Sequence, residues 1–345
     1  MADWLIDEDE LDADQRSILN LPPSVSRVVY GAAGSGKTLL ALWRTKSIQM
    51  RNNDSSFSFI VYTKALRRFI DSGIIELKLD GANVMHYDKW NNETRDYIIV
   101  DEAQDFSKSE ILAMKNASRN SVILFGDTAQ QLYDKKGWNK SSQEKTLSID
   151  EIIALTGYQS KELPQNYRIP LGVAKFAQYL NSKNNDIISK CRSKDVTSKP
   201  IIRCFNTWEE ELDFIINEIS VKGLKDVAIL LPFNTKKSTA FNPDHYSVQN
   251  VREYFDKKGI EHLYKIYDNG DLNFNSTLPK ITTYHSSKGL QFETVFIPHC
   301  GITWDRQKNA LYVALTRTSK DLIITYSDSL TYWFNSIPNS LYNNR

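Results

Sequence analysis

Two stretches of this sequence pair residue types and spacing that can do chemistry. Residues 30–38 read YGAAGSGKT, and Gly31, Gly36, Lys37 and Thr38 satisfy the phosphate-loop spacing G-x-x-x-x-G-K-[ST]. Gly31, Gly34 and Gly36 free the backbone to curl, so that successive N–H groups across Ala32, Ala33 and Ser35 face phosphate oxygens. Lys37 supplies a point charge for the β- and γ-phosphates, and the Thr38 hydroxyl can ligate Mg²⁺. The second stretch is YIIVDEAQD (97–105), an apolar strand with Asp101 and Glu102 at its tip. Hydrolysis of a nucleoside triphosphate needs one carboxylate to hold Mg²⁺ and another to deprotonate the attacking water. Adjacent acids at a strand end supply both.

The elements that must position these residues alternate strand and helix. Apolar runs at Val28–Val29, Phe57–Thr63, Tyr97–Val100 and 121–133 predict buried strands. Helices follow the phosphate loop at Leu39–Trp43, and the Ser107-x-x-Glu110 capping box at 107–118. Thr63 and Lys64 fall at the carboxyl end of a strand, where open parallel sheets bind ligands. Trp138 stands among lysines in DKKGWNKSSQEK, a composition suited to stacking a base in a single-strand groove. The register changes near KELPQNYRIP, which places a domain boundary between 1–165 and 166–345. The second half repeats the alternation, with helices at 170–183, 207–222, 247–259 and, ending in Thr316-Arg317, within 307–321, and with strands at 226–233, in 281–298 and at LIITY. Thr207-x-x-Glu210 reads as another capping box, and Asn269-Gly270 between apolar runs predicts a hairpin. The fold class is therefore α/β.

Charge and cysteine content bound the partners. Lys+Arg 43 against Asp+Glu 42 leaves a net charge of +1, so contact with nucleic acid must come from a local groove. Cys191, Cys204 and Cys300 have no metal-ligand spacing and read as reduced thiols, with no structural metal expected. With no apolar run near 18 residues and an acidic start, MADWLIDEDE, the expectation is a cytoplasmic protein that does not span a membrane.

In order along the chain, Gln15 in L-x-x-x-Q-x-x-x-L, GAAGSGKT, VYTKA, VMHY, DEAQD, GDTAQQLY, LPQNYR, TTYHSSKGLQF and LYVALTR resemble the motifs of the UvrD/Rep-type superfamily 1A helicases. The resemblance covers nearly the whole chain and implies two RecA-like P-loop NTPase domains with mostly parallel sheets and ATP between them. It implies that Gln15 and Tyr167 contact adenine, that Lys37 and Thr38 bind phosphate and Mg²⁺, and that Asp101 and Glu102 are the metal-linked acid and the general base. Gln130 matches the γ-phosphate sensor, and Arg168 and Arg317 the arginines that reach the γ-phosphate from the second domain. Gly289 and Gln291 lie in the nucleotide-contacting motif K-G-L-E-F, with Gln291 where the family carries Glu. Thr63, His86, Thr283 and His285 match positions that contact the nucleic-acid strand, and the implied movement is 3′ to 5′ on single-stranded DNA.

The chain departs from that family in size. Only 38 positions separate Thr63 from Asp101 and 115 separate Arg168 from Thr283, too few for the large subdomains that members usually insert in each half. Such a stripped core is expected to be an ATP-dependent DNA translocase or helicase. A regulatory ATPase subunit serving a partner such as a nuclease in bacterial anti-phage defence is the alternative, and RNA remodelling a third reading.

Overall fold

Runs of consecutive apolar residues become strands buried on both faces, as parallel sheets require. In the structure, a computed structural model that describes residues 5, 7–51, 56–127, 144–181, 187–192, 198–235, 247–267, 269–301 and 305–344, FSFIV and VAILL are buried at every position. The chain divides into two units, 1–166 and 167–345.

The first unit holds β1 (Arg27–Gly31), β2 (Phe57–Val61), β3 (Val84–His86), β4 (Arg95–Val100), β5 (Ser118–Gly126) and β6 (Gln159–Leu163). They form one sheet in the order β3-β2-β4-β5-β1-β6, every pair parallel. One core packs Val28, Ile98, Val100 and Leu124 of the sheet against Phe106, Ile111, Met114 and Ile152. The helix Lys37–Arg51 buries Leu39, Leu40, Leu42 and Ile48. The helix Lys108–Asn116 starts at the expected capping box, where Ser107 and Glu110 each bond the other's backbone N–H.

The second unit holds β7 (Ile201–Cys204), β8 (Val227–Leu231), β9 (Leu263–Tyr264), β10 (Lys280–Thr283), β11 (Phe292–Ile297), β12 (Thr318–Tyr326) and β13 (Asn343–Asn344). Their order is β13-β7-β12-β11-β8-β10-β9, again parallel throughout. Ile229, Leu231, Ile281 and Phe296 pack against Leu212, Ile215, Val251 and Phe255 of the covering helices. Two parallel sheets with interleaved helices make the protein α/β, the architecture expected of paired RecA-like domains.

Three local expectations change. Asn269-Gly270 does not turn a hairpin of two strands; Ile266 and Asn269 exchange backbone hydrogen bonds in a single antiparallel bridge, while β9 pairs in parallel with β10. The capping box at Thr207 is half formed. Thr207 accepts from the Glu210 N–H, but the Glu210 carboxylate turns to the N–H and side-chain amide of Asn206. The helix expected over 170–183 is α-helical for Leu171–Ala177 and tightens to a 3-10 turn over Gln178–Leu180. Among the described residues no helix is long and apolar enough to cross a membrane.

Candidate active site

β4, β5 and β1 are successive neighbours in the first sheet. The segments leaving their carboxyl ends therefore emerge at one edge, about 4.8 Å from strand to strand. The phosphate loop leaves β1, Asp101-Glu102 leave β4 and Asp127 leaves β5. Gly34 and Gly36 take φ of 79° and 85°, the left-handed region in which side chains are strained. Gly31 is required for another reason: a Cβ there would stand 2.5 Å from the carbonyl oxygen of Leu163 on β6.

The charged groups at this edge engage one another. Lys37 Nζ donates to the carbonyls of Gly31 and Ala32, at 2.9 Å each, and lies 3.6 Å from Asp127 Oδ2. Thr38 Oγ1 donates to Asp101 Oδ2 at 2.6 Å, and Asp101 Oδ1 accepts from the Glu102 N–H at 3.0 Å. Burial first, and the Glu102 charge second, push the Asp101 carboxyl up to about 7, against the opposing pull of the Thr38 hydroxyl and Lys37. Glu102 has φ of 56°, a left-handed conformation that costs a non-glycine residue about 1–3 kcal/mol and clusters at functional sites.

Gln15 reaches this loop from the helix Ala13–Leu19. Its Oε1 accepts from the Asp12 N–H at 3.1 Å in a reciprocal capping box, and its Nε2 donates to the Ser35 carbonyl at 3.3 Å. The fully buried Arg44, on the phosphate-loop helix, donates to the carbonyls of Leu19 and Pro22 at 2.8 Å and ties the two helices together. Two residues outside the sequence-derived set join the site, Asp127 beside Lys37 and Gln104. Gln104 lies within DEAQD and Asp127 within GDTAQQLY, yet only the adjacency of β4 and β5 puts them in contact.

Thr38 and Asp101 present two hard oxygen donors 2.6 Å apart. A Mg²⁺ that takes its remaining oxygens from phosphates and water suits such a pair. Among the described residues no group of three or more His, Cys, Asp or Glu could hold a metal ion.

A family model described as the viral superfamily 1 RNA helicase core domain matches residues 27–207, more than half of the chain. The chain belongs to the superfamily 1 helicases. A UvrD-like helicase C-terminal domain model also matches residues 280–325. A probable DNA helicase of Mycoplasma pneumoniae is 23% identical over 266 residues, which cover 67% of this chain and 44% of that protein. The chain thus spans less than half of that relative's length. Among solved structures, the C-terminal domain of a possible DNA helicase from Lactobacillus plantarum WCFS1 is 15% identical with a TM-score of 0.40, covering 52% of this chain and 98% of its own. The PRRSV helicase is 14% identical with a TM-score of 0.46, covering 91% and 54%.

The remaining residues that the superfamily 1 helicase motifs single out fall into two groups. In the second unit, Thr316 joins the arginines: its carbonyl accepts from Arg168 Nη2 at 3.2 Å and its Oγ1 from Arg317 Nη2 at 3.1 Å. Arg317 is 1% exposed and also donates to the carbonyls of Val313 and Leu290, at 2.9 and 3.3 Å. The bond to Leu290 brings Gly289 and Gln291 into the same cluster, while Tyr167 is exposed.

The residues expected to contact nucleic acid lie at strand ends. Val61 of β2 pairs with His86 of β3, so Thr63, Lys64 and His86 share one sheet edge. Thr63 caps the helix Lys64–Phe69, and Lys64 is exposed. Thr283 is buried and its hydroxyl bonds Ser286. Burial, aided by the Lys288 charge, pushes His285 down to about 4, and burial likewise lowers His86. At neutral pH the ring of His285 is a neutral hydrogen-bonding group. Gln130 and Trp138 lie outside the described residues.

Proposed function

We propose that this chain is an ATP-hydrolysing motor on single-stranded nucleic acid, a translocase or helicase that moves 3′ to 5′ on DNA. The observation that carries the reading is the meeting of Lys37, Thr38, Asp101 and Glu102 at the ends of two strands, β1 and β4, that flank β5. Lys37, already held at the loop by two carbonyls, would neutralise the β- and γ-phosphates of ATP. Thr38 and Asp101 would hold Mg²⁺, which when bound spreads the charge developing on the phosphoryl oxygens. Glu102 would take the proton of the attacking water. Gln15, pinned over Gly36 and bonded to Ser35, would face the base. By resemblance, Arg168 and Arg317 stabilise the transferred phosphoryl group, which makes turnover depend on the second unit and ties hydrolysis to domain closure.

DNA is favoured by the UvrD-like model over residues 280–325 and by the relative described as a probable DNA helicase. The model over residues 27–207 is described as a viral superfamily 1 RNA helicase core domain and supports RNA as the second reading. ATPase rates of the purified chain alone, with single-stranded DNA and with single-stranded RNA separate them. Stimulation by DNA is expected. Stimulation by RNA alone would transfer the motor to RNA, and stimulation by neither would remove the motor reading.

A further inference from the structure

Gln104 is completely buried between the tips of two strands, and both ends of its amide are used. Its Nε2 donates to the Glu102 carboxylate, and its Oε1 accepts from the Asp127 N–H at 2.9 Å. A carboxylate can only accept and a backbone N–H can only donate, so these two partners fix which way the amide points. Gly126 leaves the room for it, since a Cβ there would stand 2.8 Å from Gln104 Oε1 and 2.5 Å from Ile149 Cδ1. Burying an amide is costly unless it is bonded, and an apolar side chain would fill the same space without that cost. The retained polarity therefore has to be explained by what it connects.

We propose that Gln104 is a positioning residue for Glu102, coupling the aim of the Glu102 carboxylate to the main chain at Asp127. The coupling is direct. Asp127 faces Lys37 with its side chain and Gln104 with its N–H, and Gln104 holds the carboxylate one amide length away. A shift of the chain leaving β5 pulls on the amide oxygen and turns the amide nitrogen, and Glu102 follows. The left-handed backbone of Glu102 marks the same residue as one held in a costly conformation by its surroundings. Regulation of the site by the position of Asp127 is the consequence.

The proposal rests on the reading of Glu102 as the base, and the test keeps the two apart. Gln104→Met fills the space but bonds neither partner; Gln104→Asn keeps the amide but is one methylene too short to span both, and serves if the first variant folds poorly. Each is compared with wild type and Glu102→Gln for amide hydrogen exchange at Asp127 without nucleotide, affinity for a fluorescent ATP analogue, and kcat and KM. The expected result is faster exchange at Asp127 in Gln104→Met, unchanged nucleotide affinity and KM, and a loss of kcat on the order of 10²-fold, the scale of a misplaced reacting group. Unchanged exchange at Asp127 overturns the coupling. Unchanged kcat in the Gln104 variants beside an inactive Glu102→Gln protein overturns the positioning role. An active Glu102→Gln protein overturns the base assignment instead.

Discussion

The phosphate-loop edge of the first sheet and the arginine cluster of the second unit are both rich in buried charge, but the charge is satisfied differently. At the loop, Lys37, Thr38 and Asp101 engage one another and the loop's own carbonyls, and Lys37 keeps 8% of its surface exposed. In the second unit Arg317, 1% exposed, spends its guanidinium on the carbonyls of Val313 and Leu290 and on Thr316. The first arrangement can be exchanged for a ligand that offers the same charges. The second holds the turn between the helix Asp305–Leu315 and β12 to the 288–291 stretch, so any service to a ligand competes with its service to the fold.

The sharpest break with that contrast comes from turnover. Glu102→Gln should keep nucleotide binding and lose on the order of 10²–10⁴ in kcat, the contribution of a general base. Lys37→Ala should lose about 10²–10³, the scale of one lost charge stabiliser, and normal turnover in an ATPase assay would sink the phosphate-loop assignment.

Stability should order the two regions the other way. Arg317→Ala strands buried carbonyls and should cost about 1–3 kcal/mol in urea unfolding. Lys37→Ala, at a side chain that keeps 8% of its surface exposed, should cost less. Equal losses would erase the distinction.

The phosphate-loop edge carries a pH dependence of its own. With its carboxyl raised to about 7, Asp101 holds a proton in the folded protein that the unfolded chain releases near 4. Between these values Asp101 binds more protons in the native state than in the unfolded one, so its contribution to stability without nucleotide falls as pH rises and the penalty is complete above 7. Mg²⁺ requires the ionised carboxylate, so Mg²⁺-dependent nucleotide affinity should weaken by up to about tenfold per pH unit below 7. Calorimetric titration across this range checks it, and Asp101→Asn should flatten the profile.

The smallest difference lies in the helix caps. Ser107→Ala breaks a reciprocal box and should cost about 1 kcal/mol or more, whereas Thr207→Ala loses one bond and should cost somewhat less, both read from thermal unfolding.

The chemistry of the first edge was readable because it is local. Gly34 and Gly36 announce their left-handed backbone, Lys37 and Thr38 come next in a continuous segment, and Asp101-Glu102 end an apolar run. The half-formed cap at Thr207 and the single bridge at Ile266 were not readable. A Glu210 carboxylate chooses between Thr207 and Asn206, and a turn between bridge and hairpin, by packing that no local pattern records.

What the sequence by itself determined is the set of groups: a phosphate loop, two adjacent acids and the continuous apolar runs that make parallel strands, each encoded within a few consecutive residues. What only the tertiary structure decided is which of them touch. The order β4-β5-β1 brings Asp127 to Lys37 and Gln104 to Asp127 across 23 positions of chain, and it buries Asp101 deeply enough to move its protonation. Those contacts join residues far apart along the chain that the sheet order makes neighbours in space, and burial is a property of the assembled core.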